Sequence, residues 1–231
     1  SSYAGAADAL ANLYAGLGRF DALANLYKDE AFSERHGELR AQYLIQAAQA
    51  YLQDHRADDA ESMLRQAMRA APSDPRPYHY LAVAIFVPRN DLASAKAVVK
   101  RGISNGGDPF VLTLSLAEAA EKIGDLKSAE DALTRAVALQ PDSFQTRIRL
   151  GLLYLDESKF DRAALVMRTA TAINPQSANA FFILGRAEEG RYQYFAAGKA
   201  YTRALELEPG NAVYQKYYRE FQRRLKNDSG A

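Results

Sequence analysis

The chain has 231 residues, 48% apolar and 25% charged, enough of both for a buried core, and its length suits one or two domains. A formal net charge of +1 disfavours a generic nucleic-acid or anionic-membrane binder, and the lack of cysteine excludes disulfides and thiol chemistry. No apolar run approaches the ~20 residues that span a bilayer and no signal peptide is evident, so membrane insertion is not expected. An absence of cysteine fits a periplasmic or cell-envelope compartment as well as a cytosol, and the start at Ser1 has the look of a processed or trimmed chain.

A period close to 34 residues runs along the chain, and each period holds two helical patterns. Residues 4–37 form a divergent first unit. Ala7, Leu10, Ala11 and Tyr14 mark its first helix, Gly18 to Asp21 its turn, and Leu23 and Tyr27 its second helix; the stretch DEAFSERHGE lengthens the connection that follows, to 37 residues. Residues 41–74 follow, with Leu44, Ala47, Ala48 and Tyr51, then Ala60, Leu64, Ala67 and Pro72. The third unit, 75–109, is one residue longer, with Leu81, Ala82 and Ile85, then Ala95 and Val99. Pro88 lies in its turn, and Asn105-Gly106-Gly107 predicts a loose joint at 102–109. The fourth, 110–143, has Leu116, Ala117 and Ala120, then Ala129, Leu133, Ala136 and Pro141.

The fifth and sixth units, 144–177 and 178–211, align residue by residue. Leu150-Gly151 matches Leu184-Gly185, Ala163 matches Ala197, Ala170 matches Ala204, and Pro175 matches Pro209. The small residues let two helix backbones approach, Phe181, Leu184 and Tyr201 fill the space around them, and the proline ends each unit. A last helix over 212–226 carries an apolar stripe of Val213, Tyr214, Tyr217, Phe221 and Leu225, with Lys216, Arg219, Arg223 and Arg224 outside it, as expected of a cap. The tail NDSGA is expected to be disordered, and its Asn227-Asp228-Ser229 is a weak match to a glycosylation sequon.

This in-phase set of aromatic, Leu-Gly, alanine and closing proline resembles the tetratricopeptide repeat (TPR) family. The resemblance covers nearly the whole chain. It implies an all-α, right-handed superhelical solenoid of about six hairpins with a C-terminal capping helix, read here as a single domain over 1–231. It also implies a protein-binding inner face lined by the first helix of each hairpin.

No catalytic constellation stands beside that reading. His36, His55 and His79 fall in different units without a partner histidine at helical spacing, so no metal site is expected. Gly16 and Gly18 do not extend to a dinucleotide fingerprint, and no phosphate-binding loop occurs, so no cofactor is expected. Glu118 with Glu121, and Glu188 with Glu189, read as solvated faces rather than acid–base pairs.

By the resemblance, the second, fifth, ninth, twelfth and thirteenth residues of each unit point into the groove. The partner-binding candidates are then Ile45, Gln49 and Leu52 in unit two, and His79, Val83 and Phe86 in unit three. Unit four adds Val111, Leu114 and Glu118; unit five adds Gln145, Ile148, Leu152 and Leu155; unit six adds Phe182 and Arg186. Some family members grip a carboxylate terminus with Lys, Asn and Arg from successive repeats, and Asp8, Asn12, Gln46, Arg76 and Tyr80 do not rebuild that clamp. The apolar members, together with Val87, are surplus to the core positions and predict an exposed apolar groove. It would accept an extended apolar peptide or an amphipathic helix, making the chain a non-catalytic scaffold within a larger assembly. Three alternatives stand beside this reading: the same residues pack between neighbouring first helices, the chain self-associates as a homo-oligomer, or it delivers substrates to a catalytic domain outside this chain.

Overall fold

The computed structural model describes residues 2–228; Ser1 and the tail residues 229–231, with the serine of the sequon, lie outside the described residues. Those described form helices and no strands. The helices are α1 (Ser2–Gly16), α2 (Phe20–Ser33), α3 (Gly37–Gln53), α4 (Ala57–Ala70), α5 (Pro75–Tyr80), α6 (Leu92–Ser104), α7 (Pro109–Ile123), α8 (Leu126–Leu139), α9 (Phe144–Asp156), α10 (Phe160–Ile173), α11 (Ala178–Gly190), α12 (Tyr194–Leu207) and α13 (Ala212–Asp228). A π-helical segment, Leu81–Phe86, continues α5. None of these helices is long and apolar enough to cross a membrane. The backbone gathers into two compact units, Ser1–Ala132 and Leu133–Ala231, divided within α8. Helix α13 extends to Asp228, so Asn227 and Asp228 are helical where the sequence predicts a disordered tail.

Each hairpin turns through one residue with a left-handed backbone. These are Gly18, His55, Asn90, Gly124, Ser158 and Tyr192, with φ of 66°, 58°, 54°, 85°, 56° and 59°. Two hydrogen bonds close every turn. The left-handed residue donates back to the carbonyl three positions earlier, as Ser158 does to Leu155 at 3.0 Å, and the next residue donates to the carbonyl five positions earlier, as Lys159 does to Tyr154 at 2.8 Å. This double closure satisfies carbonyls that the helix end would leave unpaired. Pro72, Pro141, Pro175 and Pro209 each stand two residues beyond the end of α4, α8, α10 or α12, where a helix can no longer use them.

The left-handed positions locate both departures from the 34-residue period. Between Gly18 and His55 the three extra residues do not lengthen the connection, as the sequence predicts. They add nearly one turn to the start of α3, which has 17 residues against 13 in α9 and α11. The one extra residue of the third unit is taken up inside its first helix, by the π-helical segment. The expected loose joint at 102–109 is close-packed instead. Gly102 and Gly107 are both buried, and a Cβ on either would lie within 3 Å of Leu112 Cδ1. Asn105 Nδ2 donates to Tyr78 Oη at 2.8 Å, and that hydroxyl donates to Pro72 O at 2.7 Å.

Alanine and glycine bring the helices together as predicted. Ala48, Ala60, Ala67, Ala95, Ala129, Ala136, Ala163, Ala170, Ala197 and Ala204 are all fully buried. A Cβ on Gly185 would lie 2.6 Å from the Tyr201 ring, and one on Gly151 would collide with Met167. In the second unit Tyr214 and Phe221 of α13 bury against Phe182, Ala197, Tyr201 and Ala204, with Tyr217 and Leu225 half-buried beside them. Val213 departs from the predicted stripe: it is 54% exposed. On α1, Leu10, placed by the sequence on the packing face, is exposed with Leu13, as is Leu17 in the turn that follows.

Candidate partner-binding surface

In the first unit α3, α5 with its π-helical extension, and α7 contribute the first-helix face. Two polar contacts join neighbouring helices across it. Gln49 Nε2 on α3 donates to Tyr80 Oη on α5. His79 Nδ1 lies 3.1 Å from Ser115 Oγ on α7, and that hydroxyl donates to Val111 O at 3.0 Å. With its hydrogen committed to Val111, Ser115 accepts from His79 Nδ1–H, which leaves Nε2 as an acceptor. Tyr80 also meets the His79 ring edge-on, with centroids 5.5 Å apart. Leu52, Val83, Val87 and Leu114 are half-buried on the same helices, Val111 is exposed, and Glu118 pairs with Lys122 at 3.0 Å. Tyr80 and Ser115 are absent from the sequence-derived candidates. Both occupy the sixth position of their repeat, next to the fifth position that supplies His79 and Leu114, and that adjacency was the available signal.

The apolar lining is thinner than the sequence predicts. Ile45 and Phe86 are 4% and 5% exposed, so they hold helices together rather than face a partner. Phe86 has a specific reason: the π-helical residue shifts the phase by one, and Phe86 takes the turn-closing register held by Tyr51 in α3.

The second unit departs further. Gln145 is exposed and Leu152 half-buried, but Ile148, Leu155 and Phe182 are each 6–7% exposed. Phe182 stacks on Tyr214 at 4.6 Å and meets Tyr217 edge-on at 5.1 Å, so α13 covers the place where an apolar groove is expected. Arg186 lies over the Tyr217 ring at 5.9 Å. The contiguous exposed apolar patch is therefore corrected to separate half-buried side chains, because first helices packed side by side consume the rest.

Glu188 and Glu189 do not form a solvated face. Glu188 is 1% exposed and accepts from Arg168 at 2.7 and 2.9 Å and from Arg191 at 2.7 Å, and Arg191 also pairs with Asp161 at 2.6 Å. Glu189 accepts from Tyr201 Oη at 2.7 Å and pairs with Arg224 at 2.6 Å. Burial, followed by the adjacent Glu189 carboxylate, pushes the Tyr201 phenol far above its ordinary value, so it stays a hydrogen-bond donor. Among the described residues no group of three or more His, Asp or Glu side chains is placed to hold a metal ion.

Repeated helical hairpins, closed by one shared turn and packed through alanine and glycine, define a helical-repeat protein. Residues 114–143 and residues 148–212 each match a family model described as tetratricopeptide repeat. Tetratricopeptide repeat protein 37 of Xenopus laevis is 24% identical over an alignment of 165 residues that covers 69% of this chain. The chain spans about a tenth of that curated relative's length. Among solved structures, the type IV pilus biogenesis factor PilW aligns with a TM-score of 0.60 at 16% identity, covering 94% of this chain and 99% of its own. YrrB, described as a TPR protein with an unusual peptide-binding site, aligns at 0.58 with 20% identity, covering 78% and 92%. MamA aligns at 0.57 with 22% identity, covering 75% and 94%. Residues 114–143 and 148–212 thus carry tetratricopeptide repeats, and the fold is the all-α repeat solenoid of those solved structures.

Proposed function

We infer that this chain is a protein-interaction module, and that the first-helix face of α3, α5 and α7 receives a partner segment. The observation that carries this reading is the alternation on that face. Gln49–Tyr80 and His79–Ser115 join the helices through polar atoms, and Leu52, Val83 and Leu114 remain half-exposed beside them. Completing the burial of each aliphatic side chain contributes about 1 kcal/mol, and His79 Nε2 with the Gln49 amide offers an acceptor and donors to a peptide backbone. The peptide-binding site named for YrrB lends this reading support by analogy of fold alone.

Partners recovered from a cell extract on immobilised wild-type chain, Leu114→Glu and His79→Ala test it. Both variants should keep a helical circular dichroism spectrum and lose the same set of partners, and capture should change little between low and moderate salt. Recovery of an identical set by all three proteins would end the reading. Self-association is a second reading, favoured by Leu13 of α1 and Leu17 just beyond it, which are 55% and 62% exposed. A sedimentation coefficient that rises with protein concentration, and no longer does so in Leu13→Glu, would support it.

A further inference from the structure

Outside the first-helix face, the first unit holds a second concavity, between α2 and α4 and beside the start of α3. It encloses about 700 Å³, whereas the corresponding cleft between α4 and α6 encloses about 180 Å³. The difference tracks the added turn at the start of α3. Gly37 packs so closely on the Ala70 carbonyl that any side chain there would collide with it. Arg40, from the same turn, reaches α2 and donates Nε to Ala31 O at 3.1 Å. The extra residues thus build one wall of this cleft.

The floor is apolar: Ala31, Leu44 and Met63 are 2%, 5% and 8% exposed. At the lip stands Phe32, 88% exposed, the most exposed of the chain's large hydrophobic side chains among the described residues. Around it lie three cations, Lys28, Arg40 and Arg69, against one acid, Asp29. Lys28 and Arg69 make no ion pair among the described residues, whereas Arg56, Arg65, Arg76, Arg89, Arg191 and Arg224 are each paired with a carboxylate. A surplus of two positive charges around an apolar floor, on a chain whose total is +1, complements one kind of occupant. We propose that the cleft between α2 and α4 binds an acidic peptide segment, which sets an apolar side chain against Phe32, Leu44 and Met63 and its carboxylates on Lys28, Arg40 and Arg69. This site is separate from the first-helix face and does not rest on the function proposed for it.

Fluorescence anisotropy of a labelled synthetic peptide, with glutamates flanking a leucine–phenylalanine core, tests this on the full chain. Replacing the glutamates by lysine, or the core by serine, should weaken binding at least about tenfold. Phe32→Ala and the double variant Lys28→Glu/Arg69→Glu should each do the same, and Leu114→Glu should leave binding unchanged. Lys28, Phe32 and Arg69 are exposed and Leu114 is half-buried, and circular dichroism of each variant checks that it stays folded. Equal binding of the serine-core peptide, indifference to the double charge reversal, or no binding up to about 1 mM would overturn the proposal. Phosphatidylserine vesicles form a separate arm. Vesicle binding that depends on Lys28 and Arg69, without peptide binding, would reassign the cleft to a lipid surface.

Discussion

Gly124 has φ of 85°, and a Cβ built on it meets nothing within 4 Å. Substitution there therefore isolates backbone energetics from packing. A left-handed conformation is roughly 1–2 kcal/mol less favourable for a residue with a Cβ, while glycine loses more chain entropy on folding. His55, Asn90, Ser158 and Tyr192 tolerate the same turn at φ of 54–59°, which shows that the hairpin overrides the preference when the two closing hydrogen bonds are in place. We expect Gly124→Ala to lower the free energy of unfolding by about 1 kcal/mol, and Ser158→Gly to leave it nearly unchanged because strain relief and entropy offset each other. Urea denaturation midpoints at constant slope would check both, and a neutral Gly124→Ala would show that the turn relaxes out of the left-handed region. Glu188 illustrates another residue-level departure. It holds the turn-closing position that Tyr14, Tyr51 and Tyr154 occupy elsewhere, and the guanidinium groups of Arg168 and Arg191 make its burial tolerable.

Among the elements, the first helix of the third repeat is the one whose geometry is least regular. An ordinary α-helix advances about 100° per residue, so one added residue would swing everything beyond it off the core. The π-helical segment absorbs that residue, and Phe86 and the turn at Asn90 return to the register of the other hairpins. Deleting Ala84 should therefore restore a plain α-helix and the 34-residue spacing. We expect that variant to keep its helical circular dichroism and a cooperative melt within about 1 kcal/mol of wild type, whereas deleting Arg149 from the regular α9 should destabilise by more than about 4 kcal/mol. Equal damage from the two deletions would mean that the π turn does not act as the register absorber.

The same helix shows what could be read from the chain. The paired helices and the small residues at their crossings follow from a periodicity written in the order of the residues. Where an extra residue goes does not, because a loop, an added turn and a π turn carry the same residue count. The site was legible to a similar depth. Gln49, His79, Val83 and Leu114 keep exposed surface, but Ile45, Ile148, Leu155 and Phe182 do not, because the closeness of neighbouring first helices is a tertiary quantity. The cleft beside α3 was hidden for the same reason, since its wall is made of residues that read as a connection.

At the scale of the molecule, stability in a repeat protein is close to a sum of hairpin and nearest-neighbour terms, so damage should stay near its origin. Helix α13 offers a clean place to apply it. Phe221 is 3% exposed and lies 5.3 Å, centroid to centroid, from Tyr201, whose ring in turn fills the space above Gly185. Truncating an aromatic ring so enclosed costs about 3–5 kcal/mol. If the terms are local, Phe221→Ala should speed amide hydrogen exchange throughout α11, α12 and α13 and leave α3 to α6 at wild-type rates. Mass spectrometry of peptides from the two compact units would read this directly. Uniform acceleration along the chain would mean that the two units unfold as one cooperative body, and the nearest-neighbour description would then fail for this protein.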